Sequence, residues 1–350
     1  MKKYKVAIIG ATGFTGVELI SILSSHPAFD VTIATARRDA GAFLSDIYPA
    51  LKGTKADIVL TPVEELNPSK VDIVFLAVPH TSAMGIAEKL LRSHVTVIDL
   101  SADFRLKDPQ VYQSWYGVAH LAPALLEQAV YALPELTPHE KISSAKLLSC
   151  PGCYPTATAL AAAPLLGSPS FGADASLIVD AKSGVSGAGR PACATTHYCA
   201  IDESVSAYKA AMHQHTPEIE QMLSSVARRE VAVTFVPHLI PMKRGLLSTV
   251  YIPCHTGTTA QGVYHRYASA YKDKPFVTVL ELGQQPRTAS VTGSNHAHIG
   301  IAYDARTDTA IVTCAIDNLG KGASAQAIQV ANISKGIPQT TGLETYRSIV

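Results

Sequence analysis

A short apolar run, Tyr4-Lys5-Val6-Ala7-Ile8-Ile9, passes directly into Gly10-Ala11-Thr12-Gly13-Phe14-Thr15-Gly16. An apolar face at helical spacing then follows through Val17, Leu19, Ile20, Ile22 and Leu23. Glycines between a strand and a helix let the backbone turn tightly, and the N–H groups at the helix start can hold an anion. The spacing here is G-x-x-G-x-x-G, not the commoner G-x-G-x-x-G, but the physics is the same: the backbone approaches a pyrophosphate at the helix N-terminus. The segment predicts the first strand and helix of a parallel α/β sheet that binds a dinucleotide.

The same alternation continues downstream. Strand patterns occupy Val31–Ala36, Val71–Val78, Val95–Leu100 and Lys146–Cys150, and a helix pattern runs from Ser82, placed as its cap, to Ser93. Val71–Val78 is continuously β-rich, as in a strand buried on both faces. After Cys153 the texture changes. An Ala-rich helix pattern over Thr156–Leu166 gives way to strands with few helices between them: Ser176–Ala181, Val231–Val236, Leu246–Pro253, Phe276–Leu282, Ala297–Tyr303 and Ala310–Asp317. The expectation is an α/β chain with a Rossmann-type parallel sheet over residues 1–152 and an α+β domain with a mainly antiparallel or mixed sheet over 153–317. A helix pattern, Ala323–Ser334, follows. An exposed face on the second sheet points to self-association.

Composition narrows the function. The 350 residues suit two domains, and 47% hydrophobic against 16% charged residues allows sizeable cores. A formal net charge of +1 without like-charge runs argues against nucleic acid and anionic membranes as partners and for a small-molecule substrate. No apolar stretch approaches the roughly 18 residues of a membrane span, and the first strand begins without a signal-peptide pattern, so the expected compartment is the cytoplasm. The six cysteines do not read as a disulfide scaffold, and no ligand cluster demands a metal.

Two further segments carry chemistry. Strand two ends in Thr35-Ala36-Arg37-Arg38, and two guanidiniums where an NAD site would place a carboxylate suit the 2′-phosphate of NADP. Cys153, in Ser149-Cys150-Pro151-Gly152-Cys153-Tyr154-Pro155-Thr156, follows a strand and precedes a helix by one turn. There the positive end of the peptide dipoles favours a thiolate, the form that attacks an acyl carbon. A redox pair with Cys150, half a zinc site and two buried thiols are the competing readings; no second C-x-x-C completes a zinc set.

Together, Gly10–Gly16 and Pro151-Gly-Cys-Tyr-Pro-Thr156 resemble the N-acetyl-γ-glutamyl-phosphate reductases of arginine biosynthesis. Further marks lie along nearly the whole chain. They include Phe75-Leu-Ala-Val-Pro-His80, Asp99-Leu-Ser-Ala-Asp-Phe-Arg105, Tyr131-Ala-Leu-Pro-Glu135 and Lys182-Ser-Gly-Val-Ser-Gly-Ala-Gly-Arg190. The later half adds His213-Gln-His-Thr-Pro-Glu218, Val236-Pro-His-Leu-Ile-Pro241, Gly293-Ser-Asn295 and Asp317-Asn-Leu-Gly-Lys-Gly322. Ala132, where glycine is common, and His296-Ala297-His298, where a more acidic or cysteine-bearing stretch is usual, depart from the pattern.

The resemblance implies NADPH-dependent reduction of an acyl phosphate through a thioester on Cys153, by a homo-oligomer, dimer or tetramer. It implies a histidine as acid/base, His215 in this reading, with His213 the alternative or a substrate ligand; extended, the two would point the same way. It puts the cofactor on Gly10, Thr12, Gly13, Phe14, Thr15, Gly16, Arg37, Arg38, Pro79, Ser183, Gly184 and Asn318, and has the segment 318–350 complete the first domain. Arg105 follows a parallel strand, where α/β sheets gather ligands, and Arg190 and Arg244 are further candidate anion ligands. Lys182 and the glycine-rich loop to Arg190 would offer a cation and N–H groups to the leaving phosphate. Three alternatives stand beside this reading. Aspartate-semialdehyde dehydrogenase has the same chemistry, but its cysteine usually follows asparagine. The others are reduction of a carrier-bound aminoadipyl phosphate and a non-catalytic NADP sensor.

Overall fold

The computed structural model describes residues 3–168 and 176–344. The chain divides into two compact units: one runs up to Pro151 and resumes at Ala323, and the other spans Gly152–Gly322. The sequence reading put these divisions after residues 152 and 317, and its C-terminal segment 318–350 extends past the described residues. Residues 318–322 stay with the second unit because Asp317 holds them. Its carboxylate accepts the N–H groups of Leu319 (2.8 Å) and Gly320 (3.1 Å), and its carbonyl accepts that of Gly322 (2.8 Å).

In the first unit six strands form a wholly parallel sheet: β1 (Tyr4–Ile9), β2 (Phe29–Thr35), β3 (Ile73–Leu76), β4 (Thr96–Asp99), β5 (Val130–Tyr131) and β6 (Leu147–Ser149). Their order is β2-β1-β3-β4-β6-β5. Every residue of β3 and β4 is buried, as expected of interior parallel strands covered on both faces. The order reverses between β1 and β3, so the loop after β1 opens at the carboxyl edge where such sheets bind ligands. The helix Ala325–Ser334 is buried along nearly its whole length although it carries Gln329 and Asn332. Gln329 Nε2 donates to Glu135 Oε1 (3.1 Å) and Asn332 Nδ2 to the Thr341 carbonyl (2.9 Å), which gives the amide nitrogens of both buried side chains an acceptor.

The cap of the helix Ala83–Leu91 differs from the expected one. Ser82 sits at the N-cap in helical conformation and makes no side-chain cap. The buried Asp103 carboxylate does that work from another loop, accepting the N–H groups of Thr81 (2.6 Å) and Ala83 (2.8 Å) and the Tyr112 hydroxyl (2.9 Å). Thr81 is left-handed (φ 72°), a conformation a β-branched residue adopts only when held there.

In the second unit seven strands form a mixed sheet. They are β7 (Leu177–Ser183), β8 (Ser206–Ala207), β9 (Val233–Leu239), β10 (Leu246–Pro253), β11 (Val277–Val279), β12 (Ala297–Asp304) and β13 (Thr309–Ile316), ordered β11-β12-β13-β10-β7-β9-β8. The pairs β11/β12 and β7/β9 are parallel and the rest antiparallel, in line with the expected mixed sheet. One face packs on the helix Cys153–Leu166, where Thr158 Oγ1 meets Ser248 Oγ at 3.0 Å. The other face alternates half-exposed residues such as Asp180, Lys182 and His238.

The helices His215–Ala227 and Ala260–Tyr271 were not anticipated, though Val263, Tyr267 and Tyr271 fall at helical spacing and are buried. The second of them repairs a defect in the first helix of the unit. Pro164, inside Cys153–Leu166, cannot donate to the Leu160 carbonyl four residues back, and the Tyr271 hydroxyl donates to it instead (2.6 Å). Tyr267 donates likewise to the Ala161 carbonyl. Among the described residues no helix is long and apolar enough to cross a membrane.

Replacing Asp103 by Ala strands two buried donors, the Ala83 N–H and the Tyr112 hydroxyl, and the half-buried Thr81 N–H, so it should cost about 2–4 kcal/mol in denaturant unfolding, whereas Ser82→Ala should cost under ~0.5 kcal/mol. Equal losses would show that the cap has been misassigned.

Candidate active site

The loop after β1 separates its glycines by purpose. A Cβ on Gly10 (φ +91°) would lie 2.3 Å from the Ala77 carbonyl oxygen, and one on Gly16 would lie 2.2 Å from that of Gly10, so the loop's own packing forces both. Gly13 differs, because a Cβ there would meet nothing closer than 3.7 Å. It caps the helix Phe14–Leu23 without a side-chain acceptor, leaving an open cradle at the positive end of the helix. The cradle is rigid. Gly10 and Ala11 donate to the Thr35 carbonyl, and the hydroxyls of Tyr48 and Ser324 donate to the carbonyls of Thr12 and Thr15 (2.9 Å each). Thr12, Phe14 and Thr15 are half-buried around it. Arg37 and Arg38 follow the neighbouring strand β2, and Pro79 follows β3; all three are exposed at the same sheet edge.

Arg105, also in this unit, is buried and partly committed. Its Nε donates to the Cys150 carbonyl (2.9 Å) and a terminal nitrogen to that of Leu100 (3.1 Å), at the ends of β6 and β4. Burial pushes the Asp99 carboxyl beside it up to about 7. Burial also drives the Cys150 thiol upward, so Cys150 is an inert core residue and no rival nucleophile.

The second unit holds the candidate nucleophile. Cys153 is the first residue of its helix, one turn closer to the helix than the sequence indicated, with Gly152 as N-cap. Tyr154–Leu166 are all buried, while Cys153 retains partial access. Pro155 contributes no N–H, so the donors at the helix start belong to Cys153 and Tyr154. The Gly152 N–H donates to Glu218 Oε1 (2.8 Å), and Thr156 Oγ1 donates to the Gly152 carbonyl (2.9 Å). The turn carrying the thiol is thereby held from both sides.

The two histidines are not extended. His215 opens the helix His215–Ala227, and its N–H folds back to donate to His213 Nδ1 (3.1 Å), leaving the ring centroids 4.8 Å apart. His213 is enclosed by the edges of Tyr154, Tyr208 and Phe235. Burial, then His215, Lys209 and the opposing Glu218 in that order, leave its imidazole pushed down to about 3. With Nδ1 accepting, the neutral ring carries its proton on Nε2 and presents a hydrogen-bond donor. His215 Nε2 lies 4.0 Å from Glu218 Oε2. Glu218, quoted in the motif but given no role there, therefore spans the nucleophile's cap and the histidine. Its spacing of three residues from His215 signals this only once that segment is known to be helical.

The remaining expected ligands fall differently. Lys182 leaves the sheet on the face opposite the nucleophile's helix, where it pairs with Asp180 (2.7 Å). The N–H groups of Gly184, Val185 and Ser186 are spent on the carbonyls of Gly245, Met242 and Lys243. Ser183 is buried with its hydroxyl on the Gly184 carbonyl, and Arg190 is exposed. Arg244 pairs with the buried Asp317 (2.9 Å). Asn318 accepts the Gly245 N–H (2.8 Å) and donates to Ser186 Oγ (2.9 Å), tying the two loops together. Among the described residues no group of three or more His, Cys, Asp or Glu is placed to hold a metal.

Each of the two units matches a known protein family. Residues 5–145 match the family described as semialdehyde dehydrogenase, NAD binding domain, and residues 153–318 the semialdehyde dehydrogenase, dimerisation domain. The chain is 48% identical over 342 residues to the N-acetyl-gamma-glutamyl-phosphate reductase of Citrifermentans bemidjiense, covering 97% of this chain and 98% of that protein. It is 45% identical over 347 residues to that of Rhodospirillum rubrum, covering 98% of each. Among solved structures, aspartate semialdehyde dehydrogenase II of Vibrio cholerae complexed with ASA shares the fold with a TM-score of 0.74 at 17% identity, over 95% of this chain and 98% of that one. Aspartate semialdehyde dehydrogenase of Candida albicans with NADP gives 0.71 at 19%, over 95% and 99%.

Because His213 falls from an ordinary 6.5 to about 3 on folding, the unfolded chain binds that proton more tightly. Its contribution to stability is full above about pH 6.5 and drains away as the pH falls toward 3. The C2–H resonance of His213 should stay at its neutral position between about pH 5 and 8. A midpoint near the ordinary value would contradict the enclosure described here.

Proposed function

The chain belongs to the N-acetyl-gamma-glutamyl-phosphate reductase family, and from that premise we propose that it reduces N-acetyl-γ-glutamyl phosphate to N-acetylglutamate semialdehyde and phosphate, with Cys153 as nucleophile and NADPH as reductant. The reading is supported by Cys153 as the partly accessible first residue of an otherwise buried helix, with Glu218 accepting the preceding Gly152 N–H and standing 4.0 Å from His215 Nε2. For the cofactor, the fit rests on the Gly13 cradle and on two exposed arginines after β2, which suit a 2′-phosphate. The reductase would act as a homo-oligomer, a dimer or tetramer, through the unit that matches a dimerisation domain. None of the six cysteines, all among the described residues, is in a disulfide, which fits the reducing cytoplasm.

In this mechanism the Cys153 thiolate attacks the γ-carbonyl carbon. The C–O bond to phosphate breaks, phosphate leaves, and a thioester remains on Sγ. Bound NADPH supplies the hydride that reduces it. The helix-start N–H groups of Cys153 and Tyr154 face the developing oxyanion, a role that needs donors already in place. Hydride addition leaves an oxyanion, which takes a proton from His215 in its imidazolium form to give the thiohemiacetal; neutral His215 then takes that proton back, the C–S bond breaks, and aldehyde and thiolate are released. Glu218 stabilises the imidazolium so formed. His213, held neutral, cannot carry that proton and orients substrate through Nε2–H, while Arg105 is the candidate partner for the substrate's carboxylate. Asn318, Ser183 and Gly184 are assigned to the cofactor side as positioning groups, since their polar atoms already brace the loops.

The test is the reverse reaction, with N-acetylglutamate semialdehyde, phosphate and NADP, followed by nicotinamide absorbance. Cys153→Ser should abolish turnover and still bind NADP, and His215→Asn should lower kcat by roughly 10²–10⁴. Gly13→Ala should fold normally and weaken NADP binding. Near-normal turnover by Cys153→Ser would overturn the assignment.

A further inference from the structure

The turn Gly320–Ser324, which follows β13, is a single π-helical turn, a wide and uncommon geometry that concentrates at functional sites. It lies directly against the nucleophile. A Cβ placed on Gly322 would stand 2.7 Å from Cys153 Cβ and 3.2 Å from Cys153 Cα, closer than side-chain carbons approach one another. Neither side has room to yield. The turn is anchored by Asp317, whose carbonyl accepts the Gly322 N–H (2.8 Å) and whose carboxylate accepts the Leu319 and Gly320 N–H groups and pairs with Arg244. At Gly320 a Cβ would meet the Ser294 carbonyl oxygen at 2.2 Å, so the turn is pinned there as well. On the other side, the helix behind Cys153 is buried from Tyr154 to Leu166 and cannot retreat.

We infer that Gly322 is a positioning residue for the nucleophile: with no side chain of its own, it lets the π-turn close on the Cβ of Cys153 and fix where that thiol points. With Cβ held between turn and helix, the only freedom left to the side chain is rotation of Sγ about χ1. A backbone wall at van der Waals distance removes the rotamers that would swing Sγ into it. A nucleophile held in one attack geometry gains rate without gaining affinity, because its orientation is set before substrate arrives. This inference rests on the reading of Cys153 as nucleophile. It adds a constraint supplied by the far end of the same unit, beyond the helix dipole and the histidines.

The experiment is Gly322→Ala in the full chain, with three readouts. Turnover should fall on the order of 100-fold with KM changed less than about threefold, the signature of a misplaced reacting group and not of lost binding. Alkylation of Cys153 by iodoacetamide, followed by peptide mass spectrometry, should slow about tenfold while NADP affinity is unchanged. To separate this from a general loosening of the fold, thermal unfolding of Gly322→Ala is measured in a double-mutant cycle with Cys153→Gly. With the Cys153 Cβ removed, Gly322→Ala should lower the Tm much less than it does in wild type. Unaltered turnover and alkylation, or equal Tm losses in the two backgrounds, would overturn the inference. If the wild-type protein fails to turn over the acetylglutamyl substrate but the alkylation and coupling results hold, the substrate reading fails and the positioning role stands.

Discussion

From Tyr154 to Leu166 the helix behind the candidate nucleophile is buried on every side, and only its first residue, Cys153, keeps access. The arrangement depends on that constraint. A helix sealed in this way cannot shift to follow its side chains, and water cannot screen its terminal peptide dipoles from within. Its sequence suits the role: alanines and leucines dominate it, its two buried threonines find partners in the Gly152 carbonyl and Ser248 Oγ, and small residues let the neighbouring helices and sheet pack close. Where Pro164 breaks the internal ladder, a tyrosine hydroxyl from the helix Ala260–Tyr271 restores the lost bond. The thiol thus sits at a rigid, directed end.

Three buried carboxylates hold the surrounding backbone in place. Asp103 pins the strained Thr81 loop in the first unit, and in the second Glu218 takes the Gly152 N–H and Asp317 gathers the segment that carries Gly322. Burying a carboxylate is costly unless donors reach it: Asp103 and Asp317 are each met by backbone N–H groups, with Arg244 added at Asp317, and Glu218 by the Gly152 N–H. The effect is to convert loops, ordinarily mobile, into fixed walls. That is what a reaction depending on orientation requires, because a displacement of about 1 Å at the reacting group can outweigh the loss of a whole binding contact.

Much of this was legible in the residues. β1, the glycine loop and the helix after it announce themselves by period and by glycine placement, and the buried interior strand β3 by an unbroken apolar run. The Pro151–Thr156 segment pointed to the nucleophile because a cysteine between a strand and a helix has few other uses. What stayed hidden was mostly long-range. Ser82 looked like a cap because local composition is all a sequence offers, while the true acceptor, Asp103, lies in another loop. Lys182 looked like a phosphate ligand because the alternation of sides along β7 cannot be assigned to a face before the sheet is known. The histidines looked extended because the helix starting at His215 has a polar first turn with a proline in it, and Glu218 went unassigned for the same reason. Gly322 carries no local signal: its contact is with a residue far earlier in the chain.

The central claim is that an acyl group passes through Cys153 as a thioester. The most direct measurement is the mass of the protein after mixing with N-acetyl-γ-glutamyl phosphate in the absence of any nicotinamide cofactor, with peptide mapping of the adduct. Acyl transfer to the thiol should release phosphate and leave one N-acetylglutamyl group on the peptide bearing Cys153, discharged on adding NADPH. An adduct on a different residue, or turnover by a protein that never forms one, would contradict it.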